Sequence, residues 1–144
     1  MSARTGYGTQ PDAIAGLLAA AGGAVVVLSY EEDRTFAALS LSRFGAVTSS
    51  RLNWAGAEVL QSSPVFDGDE LRKLLRGYAR PEELAVVFWG NLAVPSLALE
   101  AGLAAAHADA VLECCYECWI YLVDTRVLIE FQDGEGFIVG RVPS

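Results

Sequence analysis

The residues best suited to chemistry in this 144-residue chain are one histidine and three cysteines: His107, Cys114, Cys115 and Cys118. If a helix runs through Cys118, then His107, Cys114 and Cys118 lie within about 40° of one another around it, on a face that a soft metal could use. Structural zinc sites usually combine two Cys-x-x-Cys pairs, and the chain has only Cys115-Tyr116-Glu117-Cys118. The alternative is that the thiols pack as small apolar groups, and we predict reduced, metal-free cysteines.

Covalent or redox catalysis would need an activated thiol, which a helix N-terminus, a nearby cation or a histidine within reach can provide. Cys115 is instead expected at a helix C-terminus, beside Glu113 and Glu117. His107 would lie two turns from Cys114, about 10 Å along the helix axis. The chain contains no G-x-S-x-G, G-x-G-x-x-G or H-E-x-x-H motif. We therefore predict no catalytic residues and no cofactor.

Two adjacent apolar stretches must position these residues. The first, Leu84–Trp89, is uncharged, short and rich in β-formers, which predicts a central strand with both faces covered. The second follows Pro95, and its apolar residues recur at helical spacing with an acidic stripe opposite them. It predicts one long apolar helix over residues 96–114, with Ser96 as a possible N-cap.

The N-terminal half gives less regular signals. Residues 1–10 are polar and contain glycine, so we predict a flexible arm that precedes a single domain over residues 11–144. Helical spacing from Pro11 to Gly22 predicts a short first helix. Residues 24–30 and 35–42 have extended character on either side of a charged turn, which predicts an antiparallel hairpin. Residues 45–66 show no clear pattern.

The second half contains a clear amphipathic helix and a meander. Residues 67–78 place leucines on one side and basic residues on the other, with Asp69 as a plausible cap and Glu70 in the first turn. Residues 119–123, 127–131 and 137–142 are apolar runs separated by turn sequences, and they predict three consecutive antiparallel strands.

Composition limits the classes of function. The hydrophobic content of 53% excludes a disordered chain, and no uncharged apolar run reaches the roughly eighteen residues of a membrane span. The N-terminus lacks the apolar core of a signal peptide, so we expect a cytoplasmic protein. The net charge is −8, with an excess of acids in the last 44 residues. Such a field repels nucleic acid and favours a basic partner.

Two tryptophans stand beside small or amide residues, a grouping common at recognition surfaces. Trp89 precedes Gly90 and Asn91 at the exit of the central strand, and Trp54 follows Asn53 in the unassigned region. The alternative is that both indoles belong to the core. The sequence leaves both interpretations open.

The chain is small and acidic, has α+β character and no recognisable catalytic motif, and has the C-terminal meander WIYLVDTRVLIEFQDGEGFIVGRV. In these features it resembles the immunity proteins of bacterial polymorphic toxin and contact-dependent inhibition systems. The resemblance covers size, charge and the region from about Leu84 onward. It implies a chain that binds and blocks a cognate toxin domain, often a basic nuclease, with acidic residues for steering and aromatic residues for affinity. The alternative is a small metal- or ligand-binding enzyme whose pocket, near His107 and the cysteines, lies between the sheet and the long helix.

These patterns together predict an α+β fold with a mainly antiparallel sheet of five to six strands, packed against one long apolar helix and two shorter helices. An acidic face could come from the loops at residues 31–33 and 67–70, or from the C-terminal stretch at residues 113–135. The residues predicted to bind the protein partner are Glu31, Glu32, Asp33, Asp67, Asp69, Glu70, Trp89, Asn91, Glu113, Glu117, Asp133 and Glu135.

Overall fold

A computed structural model describes residues 14–48, 51–90, 94–114 and 116–143. The strands in this part of the chain are β1 (Val26–Val27), β2 (Ala46–Thr48), β3 (Arg51–Leu52), β4 (Val59–Ser63), β5 (Leu84–Trp89), β6 (Leu97–Glu100), β7 (Glu117–Leu122), β8 (Val127–Gln132) and β9 (Gly136–Arg141). The α-helices are α1 (Ala15–Ala21), α2 (Tyr30–Leu39), α3 (Gly68–Tyr78), α4 (Ala101–Ala106) and α5 (Ala108–Glu113).

Seven of these strands form one antiparallel sheet in the order β1-β6-β5-β7-β8-β9-β4, and β2 pairs with β3 in a separate hairpin. The α+β class and the antiparallel pairing are therefore confirmed. The number of strands exceeds the predicted five to six, because β4 and β6 were not predicted as strands. The sequence of β4 is too polar at its end to give a period-two signal.

Both faces of the central strand are covered, as predicted. Ala85, Val87 and Trp89 of β5 face a core shared with α1, α3, α4 and α5, while Val86 and Phe88 face a second core that includes residues of α2. Successive side chains of a strand point to opposite faces, so an uninterrupted apolar run is what a strand between two layers requires.

The prediction of a single helix over residues 96–114 is wrong. Leu97–Glu100 is strand β6, which pairs with β5 through Val87 opposite Leu97 and Leu84 opposite Glu100. Helix begins only at Ala101 and is interrupted at His107, whose φ of −115° and ψ of 32° are not helical. A short apolar run suits a buried strand as well as a helix, and pairing with β5 decides between them. Ser96 does not cap a helix.

The predicted hairpin over residues 24–42 is also wrong. Only Val26–Val27 is a strand, and α2 begins at Tyr30. Ser29 and Glu32 form a capping box: the Glu32 amide donates to Ser29 Oγ at 3.1 Å, and the Ser29 amide donates to Glu32 Oε1 at 2.8 Å. The acids at residues 31–33 therefore occupy the first turn of a helix, where its dipole favours them. The Ser-x-x-Glu spacing was the sequence signal for this helix.

Three further predictions are confirmed in the described residues. Helix α1 ends before Gly22, whose φ of 72° suits glycine, although residues 11–13 of the predicted helix and the arm at residues 1–10 lie outside the described part. Helix α3 matches its prediction, but its N-cap is Asp67 rather than Asp69. The C-terminal meander is β7, β8 and β9. No helix in the described residues combines the length and apolarity needed to cross a membrane.

Candidate functional site

The antiparallel pairing brings six strand termini to one end of the sheet. Trp89 at the end of β5 lies opposite Cys118 near the start of β7, and Glu117 lies opposite Gln132 at the end of β8. Gln132 in turn lies opposite Gly136 at the start of β9. Ser63 at the end of β4 lies opposite Phe137 of β9. Strand β6 begins next to the end of β5. Loops that are far apart in the sequence therefore meet at this end.

This end carries most of the acidic residues, and we call it the acidic end. Helices α2 and α3 both start here, because α2 follows β1 and α3 follows β4. Asp109 lies against the start of α3: a Cβ built on Gly68 would lie 1.9 Å from its carboxylate. The acidic residues at this end are Glu31, Glu32, Asp33, Asp67, Asp69, Glu70, Asp109, Glu113, Glu117, Asp133 and Glu135.

Few basic residues lie at the acidic end. Arg34 pairs with Asp33 at 2.8 Å, Arg72 with Asp69 at 2.5 Å and Lys73 with Glu70 at 3.3 Å. The eleven acids of this end outnumber these three paired bases by eight. Because neighbouring loops carry the same sign of charge, their fields add, and a basic partner would be attracted to this end from a distance.

The twelve residues predicted to bind a partner are placed as follows. Nine acids lie on or beside the surface of the acidic end, and Glu31, Glu32, Asp67, Asp69, Glu113, Asp133 and Glu135 are exposed there, whereas Glu117 is half-buried and Glu70 is buried. Asp33 is buried, and its Oδ1 accepts a hydrogen bond of 2.5 Å from the Ser96 hydroxyl, so it fixes α2 to β6. Trp89 is only 5% exposed. Asn91 lies outside the described residues.

The burial of Trp89 and the packing of Trp54 support the alternative interpretation, in which both indoles belong to the core. The Trp89 indole donates to the Pro95 carbonyl at 2.8 Å inside the helix-side core, so it is not presented to a partner. Trp54 is half-buried and packs edge-on against Phe44, with ring centroids 4.7 Å apart. A Cβ built on Gly140 would lie 2.7 Å from the Trp54 ring, so the ring packs closely against this glycine. Both indoles serve packing.

Other apolar side chains are exposed at the acidic end, and the sequence analysis missed them. Tyr116 is 77% exposed, and its carbonyl accepts a hydrogen bond of 2.9 Å from the Asp133 amide, which joins it to the β8–β9 turn. Val65 and Phe66, between β4 and α3, are 45% and 46% exposed. Exposed aromatic residues inside a charged rim are typical anchors of protein interfaces.

Glu70 organises the loop that carries Val65 and Phe66. A hydrogen bond from the Ser63 side chain, and then Lys73, hold the pKa of its carboxyl below the ordinary value, although burial opposes this. The Ser63 hydroxyl also accepts a hydrogen bond of 3.2 Å from the Val65 amide. Glu70 thus joins the end of β4 to the first turn of α3.

This lowered pKa predicts a pH dependence of stability. A depressed folded-state pKa stabilises the fold above the unfolded glutamate pKa of about 4.3, and the contribution is lost as the pH falls through the folded value. Glu70→Gln is therefore expected to lower the free energy of unfolding at pH 6, and by a smaller amount at pH 3. Urea unfolding at the two pH values measures the difference. An equal loss at pH 6 and pH 3 would contradict the lowered pKa of Glu70. Glu82→Gln, which changes a glutamate at an exposed site, is the control.

The second polar centre lies on the α2 side of the sheet, two residues in from the acidic end. Glu130 is 2% exposed. Its Oε2 accepts hydrogen bonds from the Leu52 amide at 2.9 Å and the Trp119 indole at 2.8 Å, and its Oε1 accepts one from the Trp54 indole at 3.0 Å. This carboxylate ties β3 and Trp54 to the middle of β8. The one charged residue in this strand was its only sequence signal.

The predicted face of His107, Cys114 and Cys118 does not form. Helix ends at Glu113, and Cys118 belongs to β7, where its side chain is buried in the helix-side core. Cys114 donates through Sγ to the Ala110 carbonyl at 3.2 Å. Within the described residues, which exclude Cys115, no three His, Cys, Asp or Glu side chains are grouped to hold a metal ion. The space between sheet and helices is filled by core side chains.

The opposite end of the sheet has a different character. It contains a cavity of about 460 Å³ between the end of α3 and the β7–β8 turn, with Arg80, Glu82 and Asp124 in its wall. Glu83 there accepts hydrogen bonds from the amide and hydroxyl of Thr125, at 2.6 and 2.7 Å. Charges of both signs surround this cavity, so it lacks the single-sign field of the acidic end.

Neither protein-family models nor curated proteins show a match to this chain.

Proposed function

We propose that the acidic end binds a basic protein domain, and that through this contact the chain neutralises a cognate toxin without turning over a substrate. The observation that supports the proposal is the convergence of the separate acidic stretches at one end of one sheet. The sequence alone offered two alternative faces, one from the loops at residues 31–33 and 67–70 and one from residues 113–135. The strand order brings them to the same end of one sheet, with α2 beginning beyond the β1 edge and α3 beyond the β4 edge, so that their fields add in attracting a single basic partner.

The exposed apolar residues complement the charge. Steering by charge raises association rates, whereas affinity depends on desolvated anchors near the centre of an interface. Tyr116 lies between the acidic residues Glu113 and Glu117 in sequence and is bonded to the β8–β9 turn, which carries Asp133 and Glu135. We therefore assign Tyr116 the role of central anchor and the exposed carboxylates the role of rim.

The test is the association rate with a basic partner, for which the product of the neighbouring gene is the first candidate. The variant Glu113→Gln/Asp133→Asn/Glu135→Gln removes three exposed charges from the acidic end. We expect its association rate at low salt to fall by roughly fivefold or more, with a weaker salt dependence, because rim charges act mainly on encounter.

A matched control removes three exposed charges from the opposite end: Glu82→Gln/Glu100→Gln/Asp124→Asn. It changes the net charge by the same amount, so any effect of overall charge appears in both variants. We expect the control to keep most of the original rate. Equal losses in the two variants would remove the acidic end from the proposal, and turnover of a substrate by the chain alone would contradict the absence of catalysis.

A further inference from the structure

The turn between β8 and β9 lies between exposed apolar side chains on both sides. On one side, the Asp133 amide donates to the Tyr116 carbonyl at 2.9 Å, and Tyr116 directly precedes β7. On the other side, a Cβ built on Gly136 would lie 2.9 Å from Pro64 Cα, and the pair Val65–Phe66 follows Pro64. Strands β7, β8, β9 and β4 are consecutive in the sheet. The two apolar sides are therefore about 14 Å apart, which is three strand spacings of about 4.8 Å.

The exposed apolar residues form a group at this place. We call the turn at residues 133–135, together with Val65, Phe66 and Tyr116, the turn surface. Three of the eight large apolar side chains that are exposed in the described residues belong to it, and the other five are distributed over β1, α2, β4 and β5. Single exposed apolar residues are normal on a protein surface, whereas a group with a polar rim marks an interaction site.

The charges around the turn surface indicate the chemistry of its partner. Asp67 directly follows Phe66, Glu117 directly follows Tyr116, and Asp133 stands in the turn itself. A surface rich in arginine and lysine complements this combination, because these side chains carry a positive charge on an apolar stem. The turn residues lie beyond the last residue pair of β8 and β9, so they project from the sheet and fit a concave surface.

The acids at the start of α2, at the other edge of the sheet, are engaged within the chain. Glu32 closes the capping box of α2 through its carboxylate. Asp33 is buried and accepts a hydrogen bond from the Ser96 hydroxyl. Asp133, in contrast, is bonded to Tyr116 through its backbone amide, and its side chain is exposed. The acids of α2 therefore serve the fold, while the turn surface presents its charge to the solvent.

We propose that the turn surface is the centre of the contact, and that the partner receives it in a basic cleft with an apolar wall on each side. This inference rests on the proposed function: it names the shape and chemistry of the partner's surface and places the centre on the β4 side of the acidic end. It keeps Tyr116 as an anchor and adds Phe66 as a second one. Desolvated aromatic anchors hold a complex together, whereas more distant charges act mainly on encounter.

A peptide tests the turn surface without a partner. The probe is an acetylated pentapeptide amide that alternates arginine and tryptophan, and the control alternates arginine and serine and has the same charge. In a ¹⁵N–¹H spectrum we expect the tryptophan peptide to shift the amides of residues 65, 66, 116 and 133 saturably, with a Kd of about 1 mM. The serine peptide is expected to give weaker shifts, spread over the exposed acids. The same pattern with both peptides, equal shifts at residues 30–32, or no shift at about ten times this Kd would overturn the inference.

Two variants test the anchors, with a matched control on the same end. Phe66→Ala and Tyr116→Ala are each expected to weaken the tryptophan peptide by about threefold and to speed dissociation of the neighbouring gene's product by about tenfold. Tyr30→Ala removes an aromatic side chain that is exposed at the start of α2, outside the turn surface. It is expected to leave both quantities within about twofold. Thermal unfolding checks that each variant is folded.

The outcome is separable from that of the proposed function, because charge is tested by association and the anchors by dissociation. If neutralising the acidic end slows association while Phe66→Ala and Tyr116→Ala leave dissociation unchanged, the turn surface is not the centre and the proposed function stands. Faster dissociation in Tyr30→Ala, equal to that in Phe66→Ala, would also overturn the inference. If the neighbouring gene's product does not associate with the chain, the proposed function loses its first candidate partner, and the peptide spectra decide on the turn surface.

Discussion

Replacing Glu130 with leucine is expected to lower the free energy of unfolding by about 3 kcal/mol or more, and the melting temperature by about 10 °C. The substitution removes the common acceptor of two indole N–H groups and the Leu52 amide. Each buried donor left without an acceptor costs about 1–3 kcal/mol, and leucine offers none. The apolar gain from leucine offsets only part of this loss.

Chemical denaturation measures the effect, and two variants separate its causes. Glu130→Gln keeps one acceptor oxygen but turns an amide N–H₂ toward a donor, so an intermediate loss is expected. Glu82→Leu changes an exposed glutamate in the same way and should stay within about 0.5 kcal/mol of the original. If Glu130→Leu were as stable as Glu82→Leu, the hydrogen bonds to Glu130 would not hold the fold together.

Gly136→Ala is expected to be the second most destabilising change, with a loss of about 2 kcal/mol or more. Gly136 has a φ of 113°, a region that residues with a Cβ rarely adopt. A Cβ there would lie 1.9 Å from the Ser63 carbonyl oxygen and 2.9 Å from Pro64 Cα. The end of β4 would have to move away from β9, which disturbs the edge of the acidic end.

Gly134→Ala provides the matched control within the same turn. Gly134 has a φ of 81°, but a Cβ on it would meet nothing within 4 Å. Its loss should therefore reflect backbone strain alone, about 1 kcal/mol. Thermal unfolding of both variants compares the two effects. Equal losses would show that the close approach of Ser63 to Gly136 contributes nothing.

Elements with strong local signals could be predicted from the sequence. The apolar run of β5, the leucine pattern of α3 and the three strands of the meander each combine a clear period with turn residues at their ends. The failures came where two structures suit the same residues. Leu97–Glu100 is an apolar run that either a helix or a strand can accommodate, and its pairing with β5 is not visible in its own sequence.

The first turn of α2 illustrates a signal that was present but outweighed. The Ser29 to Glu32 spacing of a capping box stands within an apolar stretch followed by charges, which also matches a strand and a turn. The capping hydrogen bonds stabilise a helix in residues whose intrinsic propensities favour neither helix nor strand. At this position the capping spacing indicates the observed structure better than the extended character of the flanking residues does.

The candidate site could be predicted residue by residue, but its assembly could not. The acidic residues are evident from composition, whereas their meeting at one end follows from a strand order in which β4 pairs with β9 and β6 with β5. Such contacts join distant parts of the chain and leave no local pattern. The exposure of Tyr116 and the burial of Trp89 depend on the same packing, which is why the sequence could not show which aromatic side chain is presented at the surface.

Amide hydrogen exchange on the chain, alone and in complex with the neighbouring gene's product, tests the role of the acidic end most directly. The loops at both ends of the sheet are exposed in the free chain, so each can report a partner. We predict slower exchange at residues 63–67, 116–117 and 133–136 in the complex, and unchanged exchange at the β7–β8 turn, residues 123–126. Protection confined to residues 123–126 and the rest of the opposite end would contradict binding through the acidic end.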